Sequence, residues 1–273
     1  RDPQELIDEL RLIKSRSEIN ALQRAIDITA AGLAHIRDYV EPGKTEYEVQ
    51  GTLESEYRKL GSPRDGFPSI VAAGHNSCTL HYIDNRDLIK NGDLLLLDTG
   101  AEWDFYSADV SRTYPANGKF TPAQKDVYEI VWSAQQTAID AVRPGASFYD
   151  PHDAAVRVLI EGLKDLKVLK GSRKSIESSF GYRPYYMHGT SHWLGLDVHD
   201  AGKYRNADQT PVALKPGMVL TVEPGLYFPR SIDGIPAELR GIGIRIEDDI
   251  LVTRTKYRNL SAAIPSKSDE VSD

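Results

Sequence analysis

A stretch of thirteen residues, HGTSHWLGLDVHD at 188–200, combines the residue types that most often carry chemistry. It holds three of the chain's seven histidines, two aspartates, two glycines and a tryptophan. An imidazole can bind a divalent metal, move a proton or donate a hydrogen bond to a developing charge, and a solvated loop requires none of these. The stretch therefore predicts a functional site with His188, His192 and His199 as candidates, although each histidine taken alone could have a structural role.

Three carboxylates end or interrupt apolar segments that are typical of strands. Asp98 closes LLLLD, Glu223 closes LTVE, and Glu247 lies within IGIRIED on the same strand face as Arg245. Acidic side chains disfavour strands, and their burial is costly unless a cation or donors satisfy them. An Arg–Glu pair alone is more often a structural ion pair. Together with the histidines, however, these oxygens suit Mn(II), Co(II), Fe(II) or Zn(II).

The spacing of two aspartates predicts a hairpin. Asp98 and Asp109 are eleven residues apart, with Trp103 and Asp104 midway. A turn centred there would pair residues whose numbers sum to 207, so that Asp98 lies directly opposite Asp109 on one face. A shared metal would convert the repulsion between them into ligation. The alternative is a solvated hairpin end, which the four leucines before Asp98 disfavour.

The elements that must position these residues have clear start signals. Capping boxes at Ser15–Glu18 and Thr45–Glu48 precede helical apolar periodicity, and Pro122 and Pro151 lie in the first turns of two further helices. Extended segments or strands are predicted for SIVAAG, LHYI, DLLLLD, ADVSRTY, YMHGTSHWLGL, GMVLTVEPG and GIGIRIEDDILVT.

The two halves of the chain resemble each other. VEPGKTEYE at 40–48 matches VRPGASFYD at 142–150 with an offset of 102. NGDLLLLDTG at 91–100 matches PGMVLTVEPG at 216–225 with an offset of 125. Each half runs from a long helix through Pro-Gly and a second helix to strands that end at an acidic residue. Coincidence is the alternative, because Pro-Gly turns are common, but four features in one order favour a duplicated α+β unit.

Composition excludes several classes of protein. The 273 residues are 40% apolar and 27% charged, as in a globular enzyme. A net charge of −7 without a run of Lys or Arg disfavours a nucleic-acid partner, and the longest aliphatic run, Leu94 to Leu97, disfavours a membrane span. The chain has a single cysteine, Cys78, which is most simply a small buried residue. One cysteine excludes an internal disulfide framework and predicts a cytoplasmic location.

Five motifs in order resemble those of the pita-bread metallopeptidases over residues 10–260, and are most similar to the bacterial aminopeptidase P branch. These motifs are LLLLDTG, SADVSRTYP, HGTSHWLGLDVHD, LTVEPGLY and GIGIRIEDD. The resemblance implies an α/β (α+β) pseudo-twofold pita-bread fold, a mainly antiparallel curved sheet covered by helices. It also implies an Xaa-Pro aminopeptidase, which releases the first residue of peptides with proline in second position.

The resemblance further implies two divalent metal ions, most simply Mn(II), with Co(II), Zn(II) or Fe(II) as alternatives. Asp98 would hold one ion, Asp109 and Glu247 would bridge both, and His192 and Glu223 would complete the second. Such a pair lowers the pKa of water enough to give a hydroxide that attacks the peptide carbonyl at neutral pH. Glu223 would also pass a proton to the leaving imino nitrogen.

Other catalytic and substrate-binding positions also follow from the resemblance. His81, His188 and His199 would surround the substrate and hydrogen-bond its peptide oxygen in the tetrahedral intermediate. Arg245 would orient the ligand carboxylates. Tyr227, counted with the substrate-binding residues, resembles a tyrosine that supports the metal site from behind its ligands.

The expected domain division is a linker at 1–14, a catalytic domain at 15–264 and a flexible tail at 265–273. The pseudo-repeats would span about 15–120 and 121–264. The resemblance implies an N-terminal domain upstream of this chain, which opens on Arg1, and this domain would help to shape the substrate entrance and a homo-oligomer. The alternatives to the aminopeptidase are an Xaa-Pro dipeptidase (prolidase) and a non-catalytic binding module of the same fold. The five filled ligand positions disfavour the binding module.

Overall fold

The computed structural model describes residues 3–272, with six α-helices and ten strands in that range. The helices are α1 (Pro3–Leu12), α2 (Arg16–Tyr39), α3 (Glu46–Lys59), α4 (Pro122–Ala141), α5 (Asp150–Asp165) and α6 (Arg173–Ser178). The strands are β1 (Ile70–Ala73), β2 (Leu94–Thr99), β3 (Glu102–Trp103), β4 (Tyr106–Ser107), β5 (Val110–Pro115), β6 (Val219–Val222), β7 (Gly225–Tyr227), β8 (Gly243–Arg245), β9 (Asp248–Val252) and β10 (Tyr257–Asn259). No helix within residues 3–272 is both long and apolar enough to cross a bilayer.

The predicted helix starts are confirmed. The backbone N–H of Ser15 donates to Glu18 Oε2 at 2.7 Å, and the Ser15 hydroxyl accepts from the backbone of Glu18. Thr45 N donates to the Glu48 carboxylate in the same way. Pro122 opens α4 and Pro151 lies in the first turn of α5. Since these caps satisfy N–H groups that a helix cannot pair internally, local sequence alone fixes where the helices begin.

All strand pairs are antiparallel. One sheet has the order β1-β2-β5 and another β10-β9-β6, with the short pairs β3-β4 and β7-β8 beside them. The long helices bury one face each, and the leucines of β2 are at most 2% exposed. Helices packed on antiparallel sheets agree with the predicted α/β (α+β) class.

Equivalent hydrogen bonds occur within each of the two halves, at positions related by the sequence offsets of 102 and 125. Gly43 N donates to the carbonyl of Ile89 at 2.9 Å, and Gly145 N donates to that of Leu214 at 2.8 Å. In return, Ile89 N donates to the carbonyl of Lys44, and Leu214 N donates to that of Ala146, each at 2.8 Å. In each half, the turn after the long helix is therefore tied to the segment that leads into the acidic strand.

The predicted hairpin register is wrong by two residues. Strands β2 and β5 pair Asp98 with Ser111, so residues whose numbers sum to 209 face each other. The turn residues are Asp104 and Phe105, with φ of 49° and 70°, the left-handed pair of a two-residue hairpin loop. Asp109 is consequently a diagonal neighbour of Asp98 on the same face, rather than its direct partner.

Two predicted strands are also wrong. LHYI forms a turn and irregular chain, and YMHGTSHWLGL is a loop with a single bridge, Trp193 to Leu220. This loop lies alongside β6, and Thr221 N of that strand donates to the carbonyl of His192 at 3.0 Å. The return bond goes from His192 N to the Thr221 hydroxyl instead of a backbone carbonyl. A side-chain acceptor thus interrupts the ladder.

The two ends of the described chain differ: α1 leaves Leu6 and Leu10 46% and 77% exposed, whereas the C-terminal end is packed. Residues 3–12, part of the predicted linker, form α1. The predicted flexible tail is held by the Arg112 Nε bond to the Pro265 carbonyl at 2.7 Å and by burial of Ser268 and Val271, which are 6% and 3% exposed. Residues 265–272 therefore pack against the rest of the chain. The division into domains stays a prediction.

Candidate metal centre and substrate cleft

All five predicted ligands line one cleft of about 430 Å³. Asp98 lies near the end of β2, Asp109 just before β5, Glu223 just after β6, and Glu247 between β8 and β9. His192 comes from the loop beside β6. The sheets therefore bring together acidic residues that are more than 100 positions apart in the sequence, as the pattern of acidic strand ends predicted.

Three of these residues form a tight cluster. Asp109, His192 and Glu247 each place a ligand atom within 4.8 Å of the others. His192 Nε2 lies 3.2 Å from Asp109 Oδ2 and 3.5 Å from Glu223 Oε1. Its Nδ1 lies 3.1 Å from the carbonyl of Trp193. A proton on Nδ1 leaves the Nε2 lone pair facing the carboxylates, which is the orientation a metal-binding imidazole needs.

The carboxylates repel one another in a buried space. Burial, followed by the charge of Asp98, raises the pKa of Asp109 well above its usual value, and burial together with Asp109 does the same for the pKa of Glu247. Burial raises the pKa of Glu223 to about 7. Asp98 Oδ1 is buried and has no hydrogen-bond partner among the described residues. Crowded carboxylates with an unpaired oxygen and an oriented imidazole fit a divalent cation.

Arg245 connects two of the predicted ligands. Its Nη2 donates to Asp98 Oδ2 at 2.6 Å, Nε to the Ser111 hydroxyl at 2.9 Å, and Nη1 to the Tyr227 hydroxyl at 3.1 Å. Ser111 in turn donates to Glu247 Oε2 at 2.6 Å. Sequence reasoning missed Ser111, which the correct hairpin register would have placed opposite Asp98.

His188 is held by protein partners on both ring nitrogens. Nε2 accepts from the Tyr227 hydroxyl and Nδ1 contacts the carbonyl of Gly189, each at 2.8 Å. Burial lowers the pKa of His188 to about 3, so the ring is neutral. His81 and His199 are exposed and line the same cleft. The substrate-binding roles of all three histidines stay predictions.

A further carboxylate, Asp249, lies behind the cluster and was also missed. Its Oδ2 accepts from the backbone N–H of Asp109 at 3.1 Å, and Oδ1 is buried without a partner among the described residues. Burial raises the pKa of Asp249 well above its usual value. Alternation in GIRIEDD places it on the face of Arg245 and Glu247, so the signal was present in the sequence.

Comparison with known proteins identifies the family. The model of metallopeptidase family M24 matches residues 20–254. The chain belongs to family M24. This M24 chain is 43% identical to the Xaa-Pro aminopeptidase of Escherichia coli over 266 residues, 97% of the chain and 60% of that protein. It is 45% identical to Xaa-Pro aminopeptidase 1 of Streptomyces coelicolor over 271 residues, 98% of the chain and 55% of that protein.

Solved structures confirm the pita-bread fold. A Pseudomonas aeruginosa aminopeptidase superposes with a TM-score of 0.97 at 41% identity, over 98% of this chain and 61% of that one. Aminopeptidase P from E. coli, solved with the inhibitor Pro-Leu, gives 0.95 at 42% identity, over 98% and 60%. The M24 chain spans about three fifths of the length of these structures.

Proposed function

We propose that this M24 chain is the catalytic part of a dinuclear-metal Xaa-Pro aminopeptidase, with the catalytic domain at residues 15–264. The observation that carries the proposal is the convergence of five side chains in one cleft of an M24 peptidase. Its relatives' names supply the Xaa-Pro class. The five side chains are Asp98, Asp109, His192, Glu223 and Glu247.

The proposed ligand set divides as the family resemblance implies. Asp98 would hold one ion, His192 and Glu223 the other, and Asp109 and Glu247 would bridge them. An oxygen-rich set with one imidazole suits Mn(II). The chemistry that such ions supply when bound is activation of water at neutral pH and polarisation of a carbonyl.

The remaining residues would orient the ligands and the substrate, and Glu223 would also move a proton. Glu223 would accept a proton from the water that attacks the carbonyl before proline, and donate it to the leaving imino nitrogen. Arg245 would keep Asp98 in place, and Tyr227 would fix the ring of His188. His81 and His199 would contact peptide groups from the surface of the cleft. His188 would do so only by exchanging its bond to the Gly189 carbonyl for one to the substrate.

The test compares hydrolysis of Ala-Pro-Ala, Ala-Ala-Ala and Ala-Pro by the Mn(II)-loaded protein. A pocket shaped to the rigid pyrrolidine ring gains packing that an open-chain residue loses, and the open-chain residue brings an N–H without a matching acceptor. We expect kcat/KM for Ala-Pro-Ala to exceed that for Ala-Ala-Ala by about 100-fold or more.

Other outcomes would select the alternatives. Comparable rates for Ala-Pro-Ala and Ala-Ala-Ala would favour a general aminopeptidase on the same site. Cleavage of Ala-Pro alone would favour the dipeptidase, and metal binding without any hydrolysis would favour a binding module. A homo-oligomer and a cytoplasmic location, expected from the family resemblance and the single cysteine, also stay predictions.

A further inference from the structure

A buried ion pair joins the connection between α1 and α2 to the residue after His199. Lys14 Nζ lies 2.9 Å from Asp200 Oδ2, and both side chains are 1% exposed. The backbone N–H of Lys14 donates to the carbonyl of Gly217 at 2.8 Å, in the turn before β6. One residue therefore links Asp200 to the turn before β6, the strand that Glu223 directly follows.

Asp200 closes the loop at residues 193–200, which contains His199 and directly follows His192. Its backbone N–H donates to the carbonyl of Trp193 at 2.9 Å, the same carbonyl that Nδ1 of His192 contacts at 3.1 Å. The rings of His199 and His192 lie edge to face with centroids 4.4 Å apart. A displacement of Asp200 would consequently move both the predicted ligand His192 and the predicted substrate contact His199.

The carboxylate of Asp200 fills a tightly bounded slot. A Cβ added at Gly195 would lie 2.2 Å from Asp200 Oδ2 and 3.0 Å from Lys14 Cε, so only glycine leaves room for the pair. Gly195 is itself anchored, because its carbonyl accepts from Ser107 N at 3.0 Å. Arg11 also contacts Asp200 through Oδ1. Burying charges in this way is expensive relative to apolar packing, which points to a role beyond stability.

We propose that Lys14 and Asp200 are positioning residues for the cleft, and that the segment before α2 thereby sets the placement of His192 and His199. The effect on catalysis rests on the proposed function, whereas the effect on the two imidazoles does not. Neither residue would touch the substrate.

The test separates positioning from stability with a double substitution. Lys14→Met removes the buried cation that contacts Asp200 Oδ2 and leaves Arg11 as the partner of Oδ1. Because a buried carboxylate then loses one of its two cations, we expect a lower free energy of unfolding in urea. Lys14→Met combined with Asp200→Asn removes both charges and should recover most of that loss, because a buried ion pair can be replaced by neutral groups at little cost. Lys59→Met is the control, since Lys59 forms an exposed pair with Glu56.

The deciding readouts are the imidazole NMR signals of the metal-free protein and the kinetics on Ala-Pro-Ala. In the double variant we expect shifted or broadened signals of His192 and His199, and a fall in kcat/KM of about tenfold or more, mainly through KM. Lys14→Arg, which keeps the charge, should fold and give signals closer to those of the parent protein.

Unchanged ring signals and kinetics in the folded variants would overturn the proposal and leave the pair purely structural. If the parent protein does not hydrolyse Ala-Pro-Ala but its ring signals still respond to the double substitution, the proposed function fails and the positioning role stands. Should the double variant not fold, the Lys14→Arg signals decide: the proposal requires a shift there, and identical signals would refute it.

Discussion

Arg245 makes three different hydrogen bonds from a fully buried guanidinium, to Asp98, Ser111 and Tyr227. The N–H groups of arginine are fixed in one plane and spread over three nitrogens, whereas the three N–H groups of an ammonium rotate about a single nitrogen. Alternation along GIRIEDD predicted that Arg245 and Glu247 share a face. It could not predict that Ser111 connects them, because that contact depends on how β5 lies beside residues 245–247, where Glu247 N donates to the carbonyl of Ser111 at 3.1 Å.

At the same scale, Asp109→Asn should damage activity far more than Asp104→Asn. Asp109 is 4% exposed and borders Asp98 and His192, so its amide would remove a proposed bridging oxygen. Since loss of residues that merely orient metal ligands costs about 10- to 100-fold, we expect a fall in kcat/KM of about 100-fold or more. Asp104 lies in the exposed hairpin turn at φ 49°, a conformation that asparagine also adopts, so its change should be within about twofold.

Steady-state hydrolysis of Ala-Pro-Ala and calorimetric titration with Mn(II) would measure both variants. Equal losses would show that Asp109 holds no metal. A loss of activity at Asp109 with unchanged Mn(II) affinity would assign this aspartate to another step.

At the scale of elements, the sequence predicted helices better than strand pairing. The α2 start depends on Ser15 and Glu18, which are three residues apart, so the signal is local. The hairpin register depends instead on the turn type at Asp104–Phe105, and a phenylalanine at positive φ gives no turn signal in the sequence. The segment YMHGTSHWLGL was predicted as a strand from its sequence pattern. That pattern does not reveal that His192 N bonds to the Thr221 hydroxyl in place of a backbone carbonyl of β6.

The turn itself gives a stability prediction. Phe105 is 65% exposed at φ 70°, where a side chain costs about 1–2 kcal/mol and glycine does not. The free energy of unfolding of Phe105→Gly should therefore exceed that of Phe105→Ala by about 0.5–1 kcal/mol. This difference already allows for the greater conformational freedom of glycine in the unfolded chain. Both variants lose the contact of Arg64 with the ring, so the comparison isolates the backbone. Urea unfolding measures it, and an alanine variant of equal or higher stability would contradict a left-handed residue here.

At the scale of the whole molecule, the cleft is shared between the two similar halves. Asp98 and Asp109 come from the first half, whereas Glu223 and Glu247 come from the second. The sequence could predict this arrangement, because the matching segments already carried an acidic residue at equivalent positions in both halves. It could not predict the distances across the cleft, since these depend on how the two sheets pack against each other.

A bound metal would accordingly tie the halves together and offset the repulsion among their carboxylates. We expect exhaustive chelation to abolish hydrolysis of Ala-Pro-Ala and Mn(II) or Co(II) to restore it. Binding to the folded state alone stabilises by about 2.7 kcal/mol at a free metal concentration 100 times Kd. For a chain of this size, Tm should therefore rise by about 5 °C or more.

Mg(II) at equal ionic strength serves as the control for this experiment, because it dehydrates reluctantly and binds a site with imidazole poorly. Asp109→Asn should lose most of the Mn(II)-dependent rise in Tm, whereas Asp104→Asn should retain it. If the exhaustively chelated protein kept full activity and an unchanged Tm, the crowded carboxylates would need another source of positive charge, and Arg245 is a cation that already contacts one of them, Asp98.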